Sequence, residues 1–240
     1  MRDPGQLQSD QLLGHNSEAA TPSTQRAPLW ARAAFLASIA VAVAVVVRRI
    51  AALASPGGSG PPQLVALDQV FASRAALTLA HIIPALVFVV IAAIVVLRPA
   101  SAPAWLQPAI YPLGAIVGFT AYAMTTYSVG GWVERAAVFV FDSWFLFSLF
   151  RAFGYRRRGR PETERRWLVR AILVLLGIAT TRPVMGIFFA TSALTHLTPS
   201  QFFGYAFWAG FSINAIAVEL WLHAGHRRAR LAGNAAHTVR

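Results

Sequence analysis

An all-α, polytopic integral membrane protein, six transmembrane helices in one bundle, is the fold class this sequence predicts, and three observations predict it. The chain is 56% hydrophobic and only 12% charged, half the roughly 25% charge of a soluble domain. Apolar stretches that approach or exceed the ~18 residues needed to cross a bilayer recur along it. Charged residues cluster mostly between those stretches, with Arg182 and Asp142 conspicuous exceptions. The net charge of +12 comes from arginine, with no lysine anywhere. Genomic base composition accounts for that preference, while the arginines still govern topology and contact with anionic lipid. The lack of cysteine excludes disulfides, thiolate nucleophiles and cysteine-held iron–sulfur clusters.

Residues 1–27 are polar, without hydrophobic period, and read as a disordered cytoplasmic tail. A six-span domain is expected over 28–224. Its first span, 29–47, consists largely of Ala and Val, with Arg32 close enough to its start to snorkel. Ala52-Leu53-Ala54 resembles a signal-peptidase site, but Arg48 and Arg49 separate it from the apolar run, which argues for a retained span. Residues 55–63 are Pro/Gly-rich and read as a loop. The second span covers 74–97 and closes at Arg98-Pro99; an uncharged link, 99–107, follows. The third, 108–128, has Pro108 and Pro112 in its first turn, where a missing amide donor costs little. Gly114 and Gly118 within it carry the spacing of close helix–helix packing. Gly130-Gly131 turns the chain into the fourth span, 132–150. A basic loop is expected over 151–170, then a fifth span over 167–190 and a sixth over 202–224. Residues 225–240 form a basic cytoplasmic tail.

An even number of spans puts both ends on one side. With both termini cytoplasmic, 16 of the 21 arginines face the cytoplasm, four face out, and Arg182 lies in the membrane. Trp30, Trp105, Trp132, Trp167 and Trp221 fall near span ends, as interfacial anchors do. The basic stretch 151–170 then lies against anionic lipid headgroups, and no nucleic-acid partner is expected.

Membrane-depth polar residues are the candidate functional groups, because each is costly in hydrocarbon. From the rise per residue, His81 lies ~10 Å below the outer face, Tyr122 ~9 Å, Asp142 ~15 Å and Arg182 ~12 Å. Pro84 and Pro183 free backbone carbonyls beside two of them, which is tolerated only where neighbours or water satisfy those groups. His81, Tyr122, Asp142 and Arg182 are therefore expected to share a polar cavity in the outer half, with Arg182 ion-paired to Asp142. Asn214 and Glu219 form a second, inner polar pair, where Glu219 serves either as partner to Arg170 or Arg166 or as a proton station. No metal or cofactor site is expected. His223 and His226 lie in the basic tail, His15, His196 and His237 in loops or tails, and haem would need a second histidine at the depth of His81. No Gly-rich phosphate loop, HExxH helix or serine-nucleophile elbow is present, so no enzyme class is indicated.

Three blocks carry a family resemblance. Glu164-Arg165-Arg166-Trp167-Leu168-Val169-Arg170 is followed by Arg182, then by Asn214 with Glu219 five residues on; Leu79-Ala80-His81-Ile82 lies upstream. These residues resemble the bacterial membrane proteins catalogued as domain of unknown function 2306, over about residues 74–223. In that family the first block reads like His-Arg-Arg-Trp-Met-Ile-Arg. Here Glu164 replaces the histidine, and the link at 104–111 keeps only Tyr111 of the family's His-Arg…Gly pattern. The resemblance implies a bacterial inner-membrane location and brings no activity with it. The residues themselves leave three functions open: a small transporter or proton-coupled permease using the outer cavity, a redox or cofactor-binding subunit, and an accessory protein whose buried polar groups serve packing. The oligomeric state is left open too.

Overall fold

The computed structural model describes residues 28–55, 62–97 and 103–238. Among these every regular element is helical, and eight α-helices follow one another. Helix α1 is Leu29–Ala54, α2 Pro62–Ala72, α3 Ala75–Leu97 and α4 Leu106–Met124, the last extended by a 3₁₀ turn at Thr125–Tyr127. Then come α5 Gly131–Arg157, α6 Pro161–Leu175, α7 Gly177–Thr195 and α8 Pro199–Thr238. Taking α6 and α7 as one interrupted span, six segments are long and apolar enough to cross a membrane. The protein is thus an all-α bundle with the length and hydropathy of a multi-pass membrane protein.

Residues 35–240 make one compact unit. Its interior is built around α5, which packs on α4, α6 and α8. Helix–helix association in lipid rests on van der Waals fit and interhelical hydrogen bonds, and both are visible here. Gly114 and Gly118 lie against Leu149 and Leu146 of α5, so the small-residue face of α4 does lie at a close contact. On the other side, Phe203, Phe207 and Phe211 follow one another at i, i+4 along α8 and stack in sequence. Phe141 of α5 stacks on Phe211 and meets Trp208 edge-on, both at 5.4 Å between centroids. The turn before α5 is anchored to α8 as well: Gly130 and Gly204 approach backbone to backbone, and Trp208 Nε1 donates to the Val133 carbonyl at 3.1 Å. Gly131 there adopts φ +60°, a conformation glycine takes without steric cost.

Helix α1 is different. Ala42 is its one buried residue among those described, and Leu36, Val41 and Val47 point outward. It is tied to α2 by charge, since Arg48 and Arg49 both donate to Asp68.

Several boundaries depart from expectation. Helix α2 begins inside the expected loop and fills most of the gap before the second span. Arg48 and Arg49, expected beyond the first span, lie in α1, which runs on to Ala54. The expected basic loop 151–170 is almost wholly helix; only residues 158–160 link α5 to α6, with Gly159 at φ +64°. The expected fifth helix is interrupted at Leu176, where α8 comes so close that a methyl group on Gly177 would meet the Phe211 ring. Helix α8 runs straight through the start of the expected tail, to Thr238. The tail at 1–27, Arg98 and part of the links 55–63 and 99–107 lie outside the described residues.

Candidate functional site

A cavity of about 260 Å³ lies beside α2, and its walls are mostly apolar. His81, Asp142 and Arg182 all line it. So do Arg48, Arg49 and Asp68, which the sequence reading did not include.

The polar lining divides into satisfied and unsatisfied groups. Asp68 is satisfied: Arg48 Nη2 reaches its Oδ2 at 2.9 Å, and Arg49 Nη1 reaches Oδ1. The Arg49 guanidinium also lies over the Phe71 ring, 4.1 Å from its centroid. Glu134, 8% exposed, accepts the Gly130 N–H at 2.6 Å, which caps the start of α5. His81 Nδ1 lies 3.2 Å from the Val117 carbonyl and 3.0 Å from Thr120 Oγ1. A carbonyl can only accept, so Nδ1 carries the proton and Nε2 holds the lone pair.

Three other lining groups have buried polar atoms with no hydrogen-bond partner: Tyr127 OH, Asp142 Oδ2 and Arg182 Nε. Arg182 touches only a weak acceptor, with Nη1 3.7 Å from the Met185 sulfur. Arg48 and Arg49 stand near enough for their charges to repel its own. Buried polar groups are nearly always paired with protein or water; of the five buried polar atoms without a partner among the described residues, three lie on this cavity, and the other two, Ser148 Oγ and Arg151 Nε, lie away from it.

The expected Arg182–Asp142 ion pair does not form. Both residues face the cavity, but neither makes an ion pair with the other or with any described residue. The rise per residue fixes a side chain's height and leaves its azimuth open. Helix α5 packs chiefly on α4, α6 and α8, and α7 chiefly on α8, so the two residues meet the cavity from separate walls. Tyr122 is also elsewhere. Its hydroxyl bonds Ser143 Oγ at 2.7 Å and its ring stacks on Phe139, on the outward side of α4 and α5.

Asn214 and Glu219 do not pair with each other. Asn214 Nδ2 donates to the Leu173 carbonyl at 2.9 Å, and its Oδ1 accepts from Thr180 Oγ1 at 2.6 Å. One side chain of α8 thus grips α6 and α7 on either side of the interruption at Leu176. Glu219 takes the Arg170 guanidinium in two bonds, Nε at 2.6 Å and Nη2 at 3.1 Å. Arg170 is one of the two partners expected for Glu219, and its guanidinium also covers the Trp167 ring at 4.6 Å.

A second polar cluster was not foreseen. Glu164, 3% exposed, accepts from Tyr111 OH at 2.6 Å, Gln107 Nε2 at 2.8 Å and Arg156 Nη1 at 3.3 Å. It joins α4, α5 and α6, with three donors on one carboxylate. In the sequence Tyr111 and Glu164 are marked only as points of comparison with the resembling family. Asp68 had a signal that could have been used, being the one acid between the first two spans and near an otherwise unexplained arginine pair.

Among the described residues no three of His, Asp and Glu converge as a metal site. Comparison with family models, with curated proteins and with solved structures finds no match for this chain.

Proposed function

We infer that this protein is a small proton-coupled permease of the bacterial inner membrane, with both termini cytoplasmic and the cavity in the outer half of the bilayer. The resemblance to domain of unknown function 2306 belongs to the same reading. The observation that carries it is the unequal treatment of buried polar groups. Away from the cavity Glu164, Asn214 and Glu219 have their partners, and Ser148 Oγ and Arg151 Nε are the two orphaned atoms there. Tyr127, Asp142 and Arg182 present unpartnered atoms around the cavity. A purely structural cluster would have closed on itself, because an unsatisfied buried group costs about 1–3 kcal/mol. Asp142 is a carboxyl that can take up a proton, and His81, whose Nε2 holds a lone pair, lines the same cavity, which supplies a place for proton coupling.

The cysteine-free sequence gives a direct test. Single cysteines at Ala121 and Ile178, both lining the cavity, are treated in sealed vesicles with membrane-impermeant maleimide from either side. Alternating access predicts labelling from the outside, and weaker but measurable labelling from the inside. Cysteines that stay unreactive from both sides would remove the permease reading and leave the packing role.

A further inference from the structure

We propose that the cavity binds a small monoanionic carboxylate with an apolar body, its headgroup on Arg182 and its body against α1 and α2. The inference rests on the permease reading above for its physiological role, and on the geometry alone for the binding itself.

Charge selects the sign. Arginine stays protonated at any accessible pH, so the Arg182 guanidinium is a fixed positive charge in the cavity. Its Nε lacks an acceptor, Nη1 has only a thioether, and Arg48 and Arg49 add to the local positive potential. The acid nearest those two arginines, Asp68, is already engaged by both. Two further acids line the cavity: Glu134 is engaged by the Gly130 amide, and Asp142 is a carboxyl that can take up a proton, which leaves Arg182 as the lining charge that lacks an acceptor. An anion would supply the acceptor that Arg182 lacks, and a carboxylate matches the planar guanidinium fork in two bonds. Tyr127 OH, buried and unpartnered on the same lining, is a second donor for that headgroup.

The walls select the rest of the molecule. Val43, Val46, Leu67, Phe71, Leu86 and Phe203 line the cavity and offer no hydrogen bonds to a polar body. A bare inorganic anion would lose its hydration on most sides without replacement. Volume sets the size: at the ~30 Å³ occupied by one water in the liquid, 260 Å³ holds roughly nine heavy atoms. This describes a short aliphatic or aromatic carboxylic acid. Val43, Val45 and Val46 make α1 part of one wall of the cavity, beside the Arg48/Arg49–Asp68 ion pairs.

The test uses the full chain in nanodiscs of uncharged phosphatidylcholine, with binding followed by isothermal titration and by thermal stability. The probes are octanoate, octanol, octylammonium, palmitate and inorganic phosphate. Octanoate should bind and stabilise, and the other four should not. Arg182→Gln should weaken octanoate at least ~10-fold, the loss expected for a charge-assisted hydrogen bond. Arg74→Gln, at an exposed arginine outside the cavity lining, should leave binding unchanged. Octanol binding as well as octanoate would overturn the headgroup assignment, and octylammonium binding would overturn the sign. Phosphate binding would overturn the apolar body. Palmitate binding as tightly as octanoate would overturn the size limit and point to a membrane lipid instead. The probe series needs only the native chain, so it decides the question even if Arg182→Gln fails to fold. Octanoate that binds but is not carried into proteoliposomes upholds this inference and refutes the permease reading; carriage of an amine or sugar without octanoate binding does the reverse.

Discussion

Replacing Glu164 by alanine should be among the most damaging single changes outside the cavity. The carboxylate is 3% exposed and receives donors from Tyr111, Gln107 and Arg156. Side-chain hydrogen bonds in membrane proteins average ~0.6 kcal/mol and reach ~1.7 kcal/mol. Three of them, one from a guanidinium, therefore sum to roughly 2–5 kcal/mol. Alanine would also strand the buried Tyr111 hydroxyl. Glutamine should cost about 1–2 kcal/mol, because its oxygen still accepts from Tyr111 while the charge facing Arg156 is lost. The assay is reversible denaturation in mixed detergent–SDS micelles, read by tryptophan fluorescence. A double-mutant cycle with Tyr111→Phe should give a coupling of ~0.5–3 kcal/mol. If Glu164→Ala lies within ~0.5 kcal/mol of the native chain, or if the cycle is additive, the cluster does not hold α4 to α6 and the reasoning fails.

Three further outcomes are expected. A methyl group on Gly204 would sit 2.7 Å from the Glu134 backbone nitrogen, which cannot step aside, so Gly204→Ala should cost ~1–3 kcal/mol; Gly186→Ala, with nothing within 4 Å, should be near neutral in the same denaturation assay. Asn214→Leu removes the bonds to Leu173 and Thr180, should cost ~1–2 kcal/mol, and should speed hydrogen exchange at the Gly177 amide; unchanged exchange there would show that α8 packing alone holds the interruption. Reporter fusions after Arg160 and at the C-terminus should both report cytoplasm, and a periplasmic signal at Arg160 would reverse the orientation on which the outer cavity depends.

The spans were legible because length and hydropathy are local properties, and lipid imposes both. The interruption at Leu176 was not, because it arises where Phe211 of another helix meets Gly177. Helix α2 was missed because its eleven residues are too few to cross a bilayer and follow a Pro/Gly-rich run that reads as loop. At the site, depth reasoning brought His81, Asp142 and Arg182 to one cavity. It misjudged which of them touch, because equal height on two helices does not make them face each other. Tyr122 shows the same error in full: its height is suitable, and its ring lies on the outward side with Phe139. The pairing of Arg48 and Arg49 with Asp68 was not legible either, because it depends on α2 folding back beside α1.

The Arg48/Arg49–Asp68 latch separates the order in which the protein is made from the order in which it is secured. Asp68 follows the two arginines by 20 and 19 residues. At ~5–20 residues per second, the ribosome needs roughly one to four seconds to supply it. During that interval α1 is complete but has no latch, and its own packing, one buried alanine, gives it little to hold. Helix α1 is therefore secured by its surroundings late, and a chain whose translation pauses between Ala54 and Asp68 would expose α1 to lipid and to quality-control proteases with its arginine pair uncompensated.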